Sequence, residues 1–271
     1  DVVRRYTITN TNGVSVQIIN YGATITSIVC PDKNGVLEDV VLGFETIEDY
    51  RSSKNQYFGA TIGRVAGIIP NGLLHTGDTP NYLTNNLDGC HHFNGGKKAF
   101  DKVLWDSHVN KEKVVMSYCD DAREGYPGQV MTQIMYHLTW DNRLVIEISA
   151  TVSLPTPISI TNHSYFNLAG HGAGPNGLKD HCMVINADRY VVADIDNKIP
   201  TGELRDVART YFDFRVPRSM GKALARVPGG GYDDTFCLTR IKKNEDVAFA
   251  ARYNSNKNLQ NGNVGAGRII I

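Results

Sequence analysis

The segment Thr161-Asn162-His163-Ser164-Tyr165-Phe166-Asn167-Leu168 brings an imidazole together with hydroxyls, amides and aromatic rings. Along an extended chain, His163, Tyr165 and Asn167 share one face, while Asn162, Ser164 and Phe166 take the other. An imidazole in that company is suited to proton transfer near neutral pH. The alternative is a core histidine with both ring nitrogens satisfied. A second cluster is Cys90-His91-His92-Phe93-Asn94-Gly95-Gly96. Adjacent histidines on a strand point to opposite faces and chelate one ion poorly, so no metal site is expected there. Gly95-Gly96 marks a tight turn or a close backbone approach. The third is Gly229-Gly230-Gly231-Tyr232-Asp233-Asp234, which lacks the pattern of a nucleotide loop. Asp233 and Asp234 are chain neighbours and poorly placed to flank a glycosidic bond, but one of them can face a pocket while the other faces solvent. Finally, Arg64 lies among small residues in Gly63-Arg64-Val65-Ala66-Gly67-Ile68-Ile69-Pro70. It reads either as a residue lining a polyol site or as a surface charge.

The elements that must hold these groups are strands. Val14, Val16 and Ile18 alternate with Ser15 and Gln17, and Asn12-Gly13 before them is a hairpin turn signal. Further β-rich runs cover 24–30, 36–44, 114–119, 130–140 and 144–152, with a turn at Asp141-Asn142. Pro157-Ile158-Ser159-Ile160 predicts a strand leading into His163. Helical signals are few: a short capped turn at Thr46-Ile47-Glu48-Asp49 and two turns over 219–226, ended by Pro228 and the glycines after it. Many short strands with regular turns, and no internal repeat or linker, predict a single all-β domain over 1–271. The chain begins at Asp1 without Met and ends Ile269-Ile270-Ile271 after an Asn-rich stretch at 254–263. That end is either a final paired strand or a chain cut short.

Composition narrows the function classes. Lys plus Arg and Asp plus Glu both number 28 in 271 residues, so the formal charge is zero. That balance disfavours a nucleic-acid partner or a polybasic membrane adhesin. No apolar run approaches the ~18 residues of a membrane span, and the amino end has no signal-peptide core. The five cysteines are odd in number, widely spaced and without a C-x-x-C pair. They are expected to be reduced, mostly buried thiols in a cytoplasmic protein.

In order along the chain, Asn20-Tyr21-Gly22-Ala23, Gly63-Arg64-Val65-Ala66, Phe100-Asp101-Lys102-Val103-Leu104-Trp105, Glu124-Gly125-Tyr126-Pro127-Gly128, the 161–168 segment, Ile199-Pro200-Thr201-Gly202-Glu203, Phe212-Asp213-Phe214-Arg215 and Tyr232-Asp233-Asp234-Thr235-Phe236-Cys237-Leu238 resemble the aldose 1-epimerase (galactose mutarotase) family, in an animal flavour. The 161–168 segment is the most specific of these, because it resembles the family's active-site signature. The resemblance implies a large antiparallel β-sandwich with an open sugar cleft. It implies a reaction that interconverts the α and β anomers of free hexoses without cofactor or metal. A carboxylate takes the O1 proton, an imidazole protonates the ring oxygen, and the ring opens, turns and closes on its other face. By motif, His163 resembles the acid, with Ser164, Tyr165 and Phe166 lining the cleft, and Asp233 matches the family's sugar-binding aspartate.

Three departures accompany the likeness. Gly67-Ile68-Ile69 stands where the family reads Asn-Arg-Ile, so Ile68 occupies the place of a sugar-binding arginine, and Arg64 matches the less essential arginine before it. Asn94 stands where the family carries a second site histidine, and a register slip would let His92 compensate. The family's general-base glutamate lies in its final strands, beyond where the likeness ends, and has no identified counterpart here. Glu147 and Asp234 are the first carboxylates to test. The expectation is an epimerase-like protein with impaired catalysis. The alternative is a non-catalytic relative that binds a sugar or a less polar small ligand in the altered cleft.

Overall fold

The computed structural model describes residues 2–194, 198–239, 249–255 and 267–270, the last two segments by backbone. The chain forms two compact units, one of residues 1–30 and 41–166, the other of residues 31–40 and 167–271. Antiparallel strands dominate both, and each of the three described α-helices has four or five residues.

In the first unit, Arg5–Thr9, Ser15–Ile19 and Thr24–Pro31 form consecutive antiparallel strands. A second sheet runs in the order Asp106–Asn110, Lys113–Asp120, Val130–Leu138, Leu144–Val152. The alternation read from the sequence sorts the side chains: Val16 and Ile18 are sealed from solvent, as are Met116, Ile134 and Tyr136 of the second sheet. These inner faces pack into one apolar core with Phe100 and Trp105, which makes this unit a sandwich. The buried Tyr136 hydroxyl donates to Ala23 O at 2.8 Å, and Trp105 Nε1 donates to Phe100 O at 3.0 Å, so neither ring leaves a polar atom unpaired. The helix Ile47–Arg51 begins at Thr46, whose Oγ1 accepts from Asp49 N, as the capping signal implies.

The second unit pairs His181–Ile185 with Arg218–Ser219 and with Phe249–Ser255, which in turn pairs with Gly267–Ile270. Ile269 and Ile270 therefore lie in a paired strand, while Ile271 and most of the Asn-rich stretch lie outside the described residues. Ala187–Ala193 lies between Pro200–Asp206 and Phe236–Leu238. The helix Met220–Leu224 falls where the sequence implies one, and Met220 and Ala223 pack on Ile185, Ala187 and Phe214.

Two sequence expectations need correction. The strand expected over 157–160 is not regular: Ser159 makes one bridge to Val65, and paired strand begins only at Thr161. Pro157 lacks the N–H a ladder needs. The run expected over 36–44 reduces to Leu37–Asp39 and a single bridge from Val41 to Phe166.

Arg64 neither lines an open polyol site nor sits on the surface. Its side chain is fully buried, with Nη2 2.7 Å from Asp120 Oδ2. Nε also donates to Asp120, Nη1 donates to Pro127 O and Thr156 Oγ1, and Nη2 donates to Gly128 O. Removing one partner of such a pair strands a charge in low dielectric. Asp120→Ala is expected to destabilise the fold by about 3–5 kcal/mol, read from the urea midpoint.

His92 is likewise structural. Nδ1 donates to Thr84 O at 2.7 Å, which leaves Nε2 to accept from the Tyr126 hydroxyl at 2.7 Å. Both nitrogens are thereby committed, so His92 is not free to compensate for Asn94. Burial lowers its pKa, and the same holds for His181 in the second unit. A histidine depressed in the fold takes up its proton more readily when unfolded. Its contribution is complete above the unfolded value of about 6.5 and is lost as pH falls through that value toward the folded one. Urea stability is therefore expected to fall from pH 7.5 to pH 5.5, with a shallower decline in His92→Gln.

Candidate active site

Backbone pairing fixes His163. Thr161–Asn162 pairs antiparallel with Thr61–Ile62 in the first unit. His163 N donates to Ala60 O at 2.8 Å, and Gly59 N donates to His163 O at 3.1 Å. The Asn162 amide adds a bond from Nδ2 to Gly59 O and accepts from Ser164 N through Oδ1. The two residues flanking His163 are thus held by one asparagine side chain, while its own backbone is held by the 59–60 turn.

Rings flank the imidazole on two sides. The His163 and Tyr165 centroids are 5.1 Å apart, as the i, i+2 relation implies, and the Tyr57 centroid lies 5.7 Å from that of His163. Phe58 meets Tyr165 edge-on at 5.1 Å, and Phe93 meets Tyr57 edge-on at 5.7 Å. Phe166 is partly buried, and its backbone bridges to Val41. Ser164 Oγ is buried without a hydrogen-bond partner.

Gly67, Ile68 and Asn94 form one corner. Ile68–Ile69 pairs with His92–Phe93, which places Ile68 opposite Phe93. Asn94 N donates to Gly67 O at 3.0 Å, and Gly67 N donates to Asn94 Oδ1 at 2.8 Å. Asn94 takes a positive φ of 48°, a region asparagine tolerates better than most residues. Its Oδ1 is occupied, while Nδ2 is buried, approaches the Tyr57 hydroxyl and completes no hydrogen bond of good geometry. Phe93 links this corner through Tyr57 to His163, so five of the sequence-predicted site residues, His163, Tyr165, Asn94, Gly67 and Ile68, belong to one connected cluster.

The sequence reading missed Tyr57, Asp101 and Lys102. Lys102 Nζ lies 5.5 Å over the Tyr57 ring and 3.3 Å from Asp101 Oδ2. Burial pushes the Tyr57 phenol up to about 12, with the Asp101 charge adding to the rise and the Asn94 amide opposing it. The phenol thus stays a neutral donor at any ordinary pH. Burial also raises the pKa of Asp101, against the pull of Lys102, and Asp101 Oδ1 has no hydrogen-bond partner. The family-like stretch Phe100-Asp101-Lys102 was the available signal for the pair. Nothing local in the sequence marks Tyr57.

The other carboxylates of interest are placed separately. Glu147 pairs with Lys113 at 3.0 Å on an exposed face of the second sheet. Glu124 is buried and accepts from Lys97 N and Lys98 N. In the second unit Asp233 is exposed, and its N–H donates to Asp234 Oδ2 at 3.1 Å. Asp234 is half-buried, and that burial raises its pKa. Among the described residues no cluster of His, Cys, Asp and Glu is disposed to hold a metal ion. No described helix is long and apolar enough to cross a membrane.

Comparison with known proteins places this cluster in context. The family model for aldose 1-epimerase matches residues 4–260. Galactose mutarotase of Bos taurus is 41% identical over 256 residues, covering 94% of this chain and 70% of that protein. Aldose 1-epimerase of Escherichia coli K12 is 33% identical over 251 residues, covering 90% of this chain and 71% of the relative. Among solved structures, an aldose epimerase homologue from C. elegans superposes with a TM-score of 0.85 at 29% identity, covering 95% of this chain and 77% of that one. Galactose 1-epimerase from Lactobacillus acidophilus gives a TM-score of 0.77 at 28% identity, with coverage of 94% and 77%. An antiparallel all-β architecture, the signature around His163 and this similarity lead to one conclusion: the chain belongs to the aldose 1-epimerase family.

Proposed function

We propose that this chain binds a free hexose, galactose or glucose, and interconverts its α and β anomers far more slowly than relatives that carry the full set of site residues. The observation that carries this reading is His163, fixed by backbone on both sides and flanked by Tyr57 and Tyr165. In this reading its imidazole gives a proton to the ring oxygen, while Ser164, Tyr165 and Phe166 line the sugar's surroundings. Among the buried atoms left unpaired in the described residues, Asn94 Nδ2 and Ser164 Oγ supply further hydrogen bonds for sugar hydroxyls. Contrary to the expectation from sequence, the cysteines are not mostly buried: Cys90 and Cys119 are exposed and Cys30, Cys182 and Cys237 partly so, which suits a reducing compartment such as the cytoplasm.

Two observations support slow turnover. Ile68 offers no hydrogen bond where a guanidinium would supply one, a loss of about 1.5–3 kcal/mol for a charged hydrogen bond. Asn94 uses its carbonyl on Gly67 N and carries no charge. Among the described residues no general base is assigned: Glu147 is engaged by Lys113 on an exposed face, and Asp234 accepts from Asp233 N in the second unit. Loss of a general base typically costs ~10²–10⁴ in rate. Ile68 also favours a second reading, in which the more apolar corner binds a sugar or less polar ligand without turnover.

Polarimetry of freshly dissolved α-galactose and α-glucose tests the proposal. The unmodified chain is expected to accelerate exchange weakly, and His163→Asn is expected to abolish that acceleration. Ile68→Arg with Asn94→His is expected to tighten sugar binding in calorimetry without restoring full turnover. A rate constant on the order of 10 s⁻¹ or more would overturn impaired catalysis. Saturable binding with no acceleration would favour the non-catalytic reading.

A further inference from the structure

We infer that the Tyr57-Phe58 turn is the positioning element of His163, with the Tyr57 ring setting the orientation of the imidazole. The inference rests on the reading of His163 as the proton donor.

Successive side chains of an extended chain point to opposite sides. Tyr57 departs from that geometry, with a φ of 63° that is rare for a bulky residue and persists only where the surroundings enforce it. The turn delivers two consecutive rings to two residues of the signature segment: Tyr57 to His163 at 5.7 Å with planes 38° apart, and Phe58 to Tyr165 at 5.1 Å. His163 and Tyr165 are themselves in contact, so the four side chains form one continuous run of ring contacts, from Tyr57 through His163 and Tyr165 to Phe58.

The turn cannot easily shift. Ala60 N donates to Tyr57 O at 3.1 Å, and Ile25 N donates to Gly59 O at 2.9 Å. A Cβ on Gly59 would stand 1.8 Å from Ile25 O, so this backbone is pressed against the core strand. The Tyr57 ring is then fixed from other directions by the edge contact with Phe93 and by the Lys102 ammonium over its face. Lys102 is in turn tethered by Asp101 Oδ2 and by Gly96 O at 3.4 Å. Backbone bonds fix where the His163 main chain lies. The packing of Tyr57 and Tyr165 against its ring constrains how the imidazole is turned, and none of Tyr57, Phe58 or Lys102 needs to touch the sugar for it to operate.

The test combines NMR of the His163 ring with anomer-exchange kinetics in the intact chain. His163→Asn identifies the Cε1–H resonance by its disappearance. Tyr57→Gly removes the ring at a φ that glycine adopts freely, and Tyr57→Asn does the same with another residue tolerant of that conformation. Both are expected to move the resonance and to lower kcat about tenfold, within the ~10²-fold that a misplaced catalytic group can cost, with KM little changed. Tyr57→Phe keeps the ring and is expected to rescue the resonance position and most of kcat. If His163→Asn abolishes exchange while both ring-deleted variants leave resonance and kcat unmoved, the positioning role is overturned and the proton-donor reading stands. If His163→Asn leaves exchange unchanged, the proton-donor reading fails and the positioning role with it.

Discussion

A buried guanidinium organises the ground on which the site is built. The Arg64 side chain gathers Asp120 at the end of one long strand, the carbonyls of Pro127 and Gly128 before the next, and Thr156 after the last. Its backbone carbonyl accepts from Ser159 N at 3.0 Å, and Ala66 N donates to Ser159 O at 2.9 Å. Two residues after Ser159 begins the paired segment Thr161–Asn162, which leads into His163. One residue therefore ties the loops of the large sheet to the approach of the signature segment. The arrangement needs arginine, because only a planar fork with five donors reaches these acceptors at once. Lysine would keep the charge and lose the geometry.

Much of the scaffold was legible because local signals agreed with burial. Leu144–Val152 matches the run read from the sequence, the turn at Asp141-Asn142 falls where its residue types place it, and Thr46 caps its helix. Residues 157–160 are β-rich by composition, but the partner they would need is supplied only through Ser159. Arg64 remained ambiguous because its acceptors come from three distant places in the chain. Tyr57 was invisible for a related reason: a tyrosine with positive φ contradicts its own propensity, and only tertiary packing selects it. Its importance is expressed in ring contacts to positions 93 and 163, which no local window joins.

The site positions that distinguish this chain are mechanically coupled. Gly67 and Asn94 exchange hydrogen bonds, and Ile68 lies across from Phe93 on the same short ladder. Altering the side chain at 94 thus disturbs the backbone that presents 68. The corner behaves as one piece, and effects of substitution at 68 and 94 should not be expected to add.

The left-handed backbone at Asn94 also bears on how such a corner arises in evolution. A φ of 48° restricts the usable alphabet at that place mainly to glycine, asparagine, aspartate and histidine. Histidine and asparagine codons differ at a single base. Exchange between an imidazole and this amide is therefore open to ordinary drift without first remodelling the chain. Ile68 sits in extended backbone that constrains residue type little, so its history is free of that filter. Within this lineage, position 94 is expected to fluctuate among a few polar residues while position 68 wanders widely, a signature that would separate conformational constraint from selection on chemistry.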